Sequence, residues 1–228
     1  MGPFAYDPVS PMVRERKLSM RSGLTAAFVA ALLSCSTGLA LAAPGRAAAK
    51  NESQNLASAS DTIKECQQRL TTLLKKGPTS GDEISASIDG LLDYQTLAEH
   101  SLGRYWAERT PAEREEFTAV LTQLVRASYR KHLSKTLDYD VTYVGESPVE
   151  EGTLVKSQAK NRTKKREDPV SIDYVARRAN DRWRVIDIVT DGTSLVKNYR
   201  SQFHRIMKKD GFKELMRKLN RKLAKLHG

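Results

Sequence analysis

Four histidines, two cysteines and a scatter of carboxylates are the side chains of this chain that could bind a metal or do acid–base or nucleophilic work. His100, His132, His204 and His227 are dispersed, and neither they nor the cysteines show metal-ligand spacing. There is no G-x-S-x-G elbow, no P-loop and no dinucleotide fingerprint. Asp93 and Asp187 could serve as general bases in a pocket. Carboxylates in such places also cap helices or pair with an arginine or a helix N-terminus. The expectation is a chain with no catalytic residue, no metal and no cofactor, with Asp187 or Asp93 as the base if it is an enzyme after all.

Cysteine usage fits export. Cys35 lies in an apolar leader, which leaves Cys66 alone in the remainder, so no intramolecular disulfide is available. Cys66 falls on the apolar side of a helix pattern and reads as a small buried hydrophobe. Residues 1–42 read as a secretory signal peptide. A basic segment holds Arg14, Arg16, Lys17 and Arg21, an Ala/Leu-rich run follows, and Ala40-Leu41-Ala42 is a small-x-small site. Leu32-Leu33-Ser34-Cys35 approaches a lipobox, so a lipoprotein anchored at Cys35 is the competing reading. Both readings, and that of an uncleaved anchor, place the domain outside the cytoplasm, with the periplasm as the expected location.

The formal net charge is +11. From His204 to Gly228, nine Lys/Arg stand against Asp210 and Glu214, a local +7. A second basic run holds Lys160, Arg162, Lys164, Lys165 and Arg166. Such surfaces favour anionic partners. Aromatic residues are not interleaved with these runs, which argues against a nucleic-acid binder.

The elements that must position any site follow from periodicity. Residues 43–60 are Ala-, Ser- and Asn-rich and read as a flexible lead-in. A single domain spans 61–228. Ile63, Cys66, Leu70, Leu73 and Leu74 mark a first helix that ends at Gly77-Pro78. Ile84, Ile88, Leu91 and Leu92 mark a second. Asp93 opens a third, short helix that Gly103 stops. Thr110, Pro111 and Glu113 form a capping box for a long helix reaching about Leu137. After Asp138 the period changes from 3.6 to 2. Four strands are expected at Tyr139–Val149, Thr153–Arg162, Pro169–Arg178 and Trp183–Val189, as an antiparallel meander. Simple alternation puts Val185 and Val189 on one face of the fourth strand, with Ile186 and Ile188 on the other. Asp191-Gly192 turns the chain, Thr193 or Ser194 caps a helix, and Gly211 divides that helix from a basic, amphipathic last one.

Two stretches are more specific than their spacing. One runs Trp183-x-Val185-x-Asp187, then Asp191-Gly192-x-Ser194-Leu195-Val196-x-Asn198-Tyr199-Arg200-x-Gln202-Phe203. The other runs Asp93-Tyr94 through Leu97-Ala98, Leu102-Gly103, Trp106 and Thr110-Pro111 to Phe117, with Tyr129 further along the same helix. Together they resemble the MlaC (toluene-tolerance) family of periplasmic phospholipid-binding components of an intermembrane lipid transport system. The resemblance implies an α+β, NTF2-like (cystatin-like) fold, with a four-stranded antiparallel twisted sheet covered by several helices. An apolar cavity between the layers would hold lipid tails, each buried CH₂ contributing roughly 0.8 kcal/mol. On this reading Tyr129, Val141, Tyr143, Ile172, Tyr174, Val185, Ile188, Val196, Tyr199 and Phe203 surround the cavity. Arg104, Lys197 and Arg200 stand at its mouth.

The implied function is a periplasmic phospholipid carrier. Its partners would be an inner-membrane ABC transporter with an MCE-type protein and an outer-membrane lipoprotein complex. The two basic runs are stronger than the family pattern requires, which suggests transient contact with an anionic membrane or acidic proteins. Alternatives are a carrier of another apolar ligand, such as a hopanoid, or an NTF2-like enzyme using Asp187.

Overall fold

The computed structural model describes residues 57–76, 81–164 and 166–227. The expected leader with Cys35, most of the expected lead-in and the expected Gly77-Pro78 break lie outside them. Helix α1 (Ala59–Lys76) is capped by Ser58, whose hydroxyl accepts the Asp61 N–H at 3.0 Å. It buries Ile63, Gln67, Leu70 and Leu73. Helix α2 (Gly81–Leu91) follows, and then α3 (Tyr94–Leu102). Asp93 is the N-cap of α3, accepting the Thr96 N–H at 2.9 Å. Gly103 ends it at φ 55°, where a Cβ would come within 3.0 Å of the His204 ring.

Helix α4 (Pro111–His132) begins with a complete capping box. The Thr110 N–H donates to the Glu113 carboxylate at 2.9 Å, and the Glu113 N–H donates to Thr110 Oγ1 at 3.2 Å. The helix is shorter than the pattern suggests, because its last turn tightens into a 3-10 segment, Leu133–Asp138. An ion pair ties α2 to α4: Arg126 donates to both Asp89 carboxylate oxygens at 2.9 and 2.7 Å, and Tyr94 adds its hydroxyl at 2.9 Å.

Five strands make one antiparallel meander in the order β1-β2-β3-β4-β5. They are β1 (Tyr139–Val149), β2 (Gly152–Asn161), β3 (Val170–Ala179), β4 (Arg182–Thr190) and the two-residue β5 (Thr193–Ser194). The fifth is an addition to the four expected, formed where the Asp191-Gly192 turn folds the chain back on the end of β4.

The register corrects the expected faces of β4. Tyr174 pairs with Ile188 and Ala176 pairs with Val185, with a bulge between. The extra residue resets the two-residue alternation, so Val185 and Ile188 share the face of Ile172, Tyr174 and Ala176. Val189 pairs with Asp173 and points the other way.

Helix α5 (Leu195–His227) is two helices in one run, interrupted at Gly211, which sits at φ 79° and ψ −179°. The interior separates into two apolar clusters. The first lies between the sheet and α1, α2 and one end of α4. The second is all helical, with Leu102, Phe117, Leu121, Phe203, Leu215 and Met216 from α3, α4 and α5.

Candidate functional site

The sheet-facing cluster gathers most of the residues expected around a cavity. Tyr129, Val141, Ile172, Tyr174, Val185 and Val196 are buried in it, and Tyr143 and Ile188 pack against it. Tyr199 and Phe203 do not join them. They stack on each other at 5.4 Å in the helical cluster, where Phe203 meets Phe117 edge to face at 5.6 Å. The family resemblance places both around the cavity with Val196. Seven residues past Val196 the helix has risen about 10 Å along its axis, and the same stripe there meets the helical cluster.

Three tyrosines make this cluster unlike an ordinary core. Gln67 of α1 donates from Nε2 to the Tyr174 hydroxyl at 3.4 Å. The hydroxyls of Tyr129 and Tyr143 are buried and have no hydrogen-bond partner among the described residues. A buried, unpaired hydroxyl costs about 1–3 kcal/mol, so two in one apolar cluster are unusual, with the Gln67 amide the nearest polar group to Tyr143. Burial drives all three phenols far above their ordinary range, so they are neutral donors at any physiological pH.

Cys66 borders the tyrosines on one side and a surface hollow on the other. Burial raises its thiol to about 11, Arg69 lowering it and Glu65 raising it by smaller amounts, and its S–H donates to the Ser87 carbonyl at 3.5 Å. A thiol so placed is a packing residue and not a nucleophile. The hollow, of about 410 Å³, lies between α1 and α2 and has Arg69, Leu91 and Arg182 around it. Arg69 and Arg182 are exposed and form no ion pair among the described residues.

The cations expected at the mouth, Arg104, Lys197 and Arg200, do not line this hollow. Arg200 donates from Nε to the His100 carbonyl at 2.6 Å, and Arg104 lies over the Tyr105 ring with 4.9 Å from its guanidinium carbon to the ring centroid. Arg104 lies in the turn after α3, Arg200 reaches the end of α3 from α5, and Lys197 is exposed on the first turn of α5. Sequence reasoning missed Gln67, Arg69 and Arg182. Gln67 was legible in principle, being one position from Cys66 and in step with Ile63 and Leu70.

The two candidate bases are structural. Asp187 accepts from the Ser194 hydroxyl and from the backbone N–H groups of Val196 (3.1 Å) and Ile188 (2.8 Å). It clasps the end of β4 to the start of α5, where the helix dipole favours a negative charge. Ser194 in turn caps α5 by accepting the Lys197 N–H at 3.0 Å. Asp93 accepts from the Thr96 N–H and hydroxyl and from Arg177 at 2.9 Å. Burial raises its proton affinity, but those three bonds outweigh it and hold the carboxyl below its usual range. Among the described residues no three His, Cys, Asp or Glu side chains gather as metal ligands, and no helix is long and apolar enough to cross a membrane.

An antiparallel meander packed on helices, with an apolar interior and a few neutral hydroxyls inside it, defines an α+β domain. The chain belongs to the MlaC family, whose model, described as MlaC protein, matches residues 58–221. Among solved structures, it is similar to the phospholipid-binding protein from Ralstonia solanacearum in complex with a phospholipid. That likeness has a TM-score of 0.64 and 22% identity, and it covers 75% of this chain and 100% of the other. No curated protein matches.

Proposed function

We propose that this protein is a phospholipid carrier that holds acyl chains in the cluster between the sheet and helices α1 and α4. The observation that carries this reading is the pair of buried, unpartnered hydroxyls on Tyr129 and Tyr143 inside a mostly apolar lining. An ester carbonyl of a lipid is the acceptor such neutral donors need, and the surrounding Val, Ile and Ala side chains suit its chains. Membership of the MlaC family and the fold shared with a phospholipid-binding protein support it.

Entry is between α1 and α2, through the hollow over Cys66. Separation of those two helices joins the hollow to the tyrosines, and Arg69 and Arg182 at its rim meet the phosphate. The mechanism is desolvation of the tails with no covalent step. The leader at residues 1–42 exports the protein to the periplasm. There it passes lipid between an outer-membrane lipoprotein complex and an inner-membrane ABC transporter with an MCE-type protein.

The test is transfer of a fluorescent phospholipid between donor and acceptor vesicles. Catalytic amounts of protein should accelerate it, and Ile172→Trp, which fills the interior, should abolish it while the protein stays folded by circular dichroism. Charge reversal of Arg69 and Arg182 together should slow it about tenfold or more. No acceleration by the parent protein would sink the carrier reading.

A further inference from the structure

The last helical segment, after Gly211, uses one face for the helical core and leaves the other face basic. Leu215, Met216, Leu219 and Leu223 are buried. Lys213, Arg217, Arg221 and Lys225 recur every four residues on the opposite side, and all four are exposed. At 1.5 Å per residue they cover about 18 Å, and each step turns the stripe by about 40°, so they form a broad cationic face and not a single point. Of these four, Arg217 is paired with Glu214, while Asp210 and Glu214 both engage Lys218 beside the stripe. Lys213, Arg221 and Lys225 have no ion-pair partner among the described residues.

We infer that this face docks the protein on an anionic lipid bilayer. A specific protein interface centres on buried aromatic or aliphatic anchors. The exposed neighbours of this stripe are Asn220 and Ala224, which supply none. Single-stranded nucleic acid needs stacking aromatics between the charges, and they are absent too. Closely spaced cations without directional partners fit a diffuse layer of lipid phosphates, to which each Lys or Arg near the surface adds affinity. The surface is separate from the lipid-holding interior, so docking and cargo binding fail independently.

The experiment is co-sedimentation of the purified protein with vesicles of phosphatidylcholine alone, or of phosphatidylcholine with 30% phosphatidylglycerol (about that fraction suffices to make the surface anionic). Partition should require the anionic lipid and should fall steeply between low and physiological salt. A triple variant, Lys213→Gln with Arg221→Gln and Lys225→Gln, should partition about 100-fold less while retaining its extracted lipid. Those side chains are exposed and unpaired, so the variant keeps its fold. Equal partition onto neutral vesicles, or an unchanged triple variant, would overturn the inference. Failure on vesicles combined with triple-variant-sensitive binding to polyglutamate would replace the membrane with an acidic protein partner.

Discussion

Replacing Asp187 by alanine removes the acceptor that joins β4 to α5. The Ser194 hydroxyl and the Val196 N–H both lose their partner, and Val196 is buried, so its amide cannot turn to water. Hydrogen bonds to a charged group contribute about 1.5–3 kcal/mol each. Favourable placement of the carboxylate at the helix N-terminus adds up to about 1 kcal/mol. Ser194 keeps its bond from the Lys197 N–H, which offsets part of the loss. The net expectation is a destabilisation of about 3–4 kcal/mol. Asp187→Asn keeps one carbonyl acceptor and should cost about half as much. Urea unfolding followed by tryptophan fluorescence reads both, since Trp183 lies on the same strand. Lipid content of the Asn variant should be unchanged. An alanine variant within about 0.5 kcal/mol of the parent would refute the clasp, and loss of an enzymatic turnover with stability intact would make Asp187 a base instead.

Three further outcomes follow from the same geometry. Asp93 has a folded-state pKa below its unfolded value, so its contribution is full above about pH 4 and is lost as pH falls through the folded pKa; Asp93→Asn should flatten that acid limb in stability measured against pH and cost about 1 kcal/mol at neutral pH as a weakened cap. Gly152 sits at φ 153° with the Ala176 carbonyl 2.2 Å from where a Cβ would be, so Gly152→Ala forces β2 and β3 apart and should cost about 2–4 kcal/mol by urea unfolding. Phe117, with no exposed surface, fills the helical core against Phe203, and Phe117→Ala should cost about 3–5 kcal/mol in the same assay while leaving the sheet-facing tyrosines in place.

The elements of this fold were legible because each rests on a local cause. The Thr110-Pro111-Glu113 box, the Asp93 cap, the Gly103 stop, the Gly211 break and the change of period after Asp138 all stand in the structure where the sequence puts them. What was not legible depends on pairing between distant residues. The bulge opposite Val175 and Ala176 inverts the face of half of β4, and nothing local to that strand announces it. The division of one apolar stripe between two cores, which separates Val196 from Phe203, depends on where the sheet ends. The hollow flanked by Arg69 and Arg182 joins side chains from α1 and the start of β4, over a hundred residues apart in sequence. Arg104 and Arg200 were expected at a mouth because they are cations near the family motifs. Their backbone and ring partners show that they brace the turn after α3.

The central claim is that a phospholipid occupies the interior beside Tyr129 and Tyr143. Native mass spectrometry of the protein purified from a bacterial periplasm, followed by denaturing lipid extraction, tests it most directly. Stoichiometric phospholipid that leaves on denaturation, and that is depleted in a Tyr129→Phe, Tyr143→Phe double variant, is the result this account predicts. A protein that is empty when purified and takes up no lipid from vesicles would contradict it, and a polycyclic lipid in place of the phospholipid would move the assignment to a different apolar cargo.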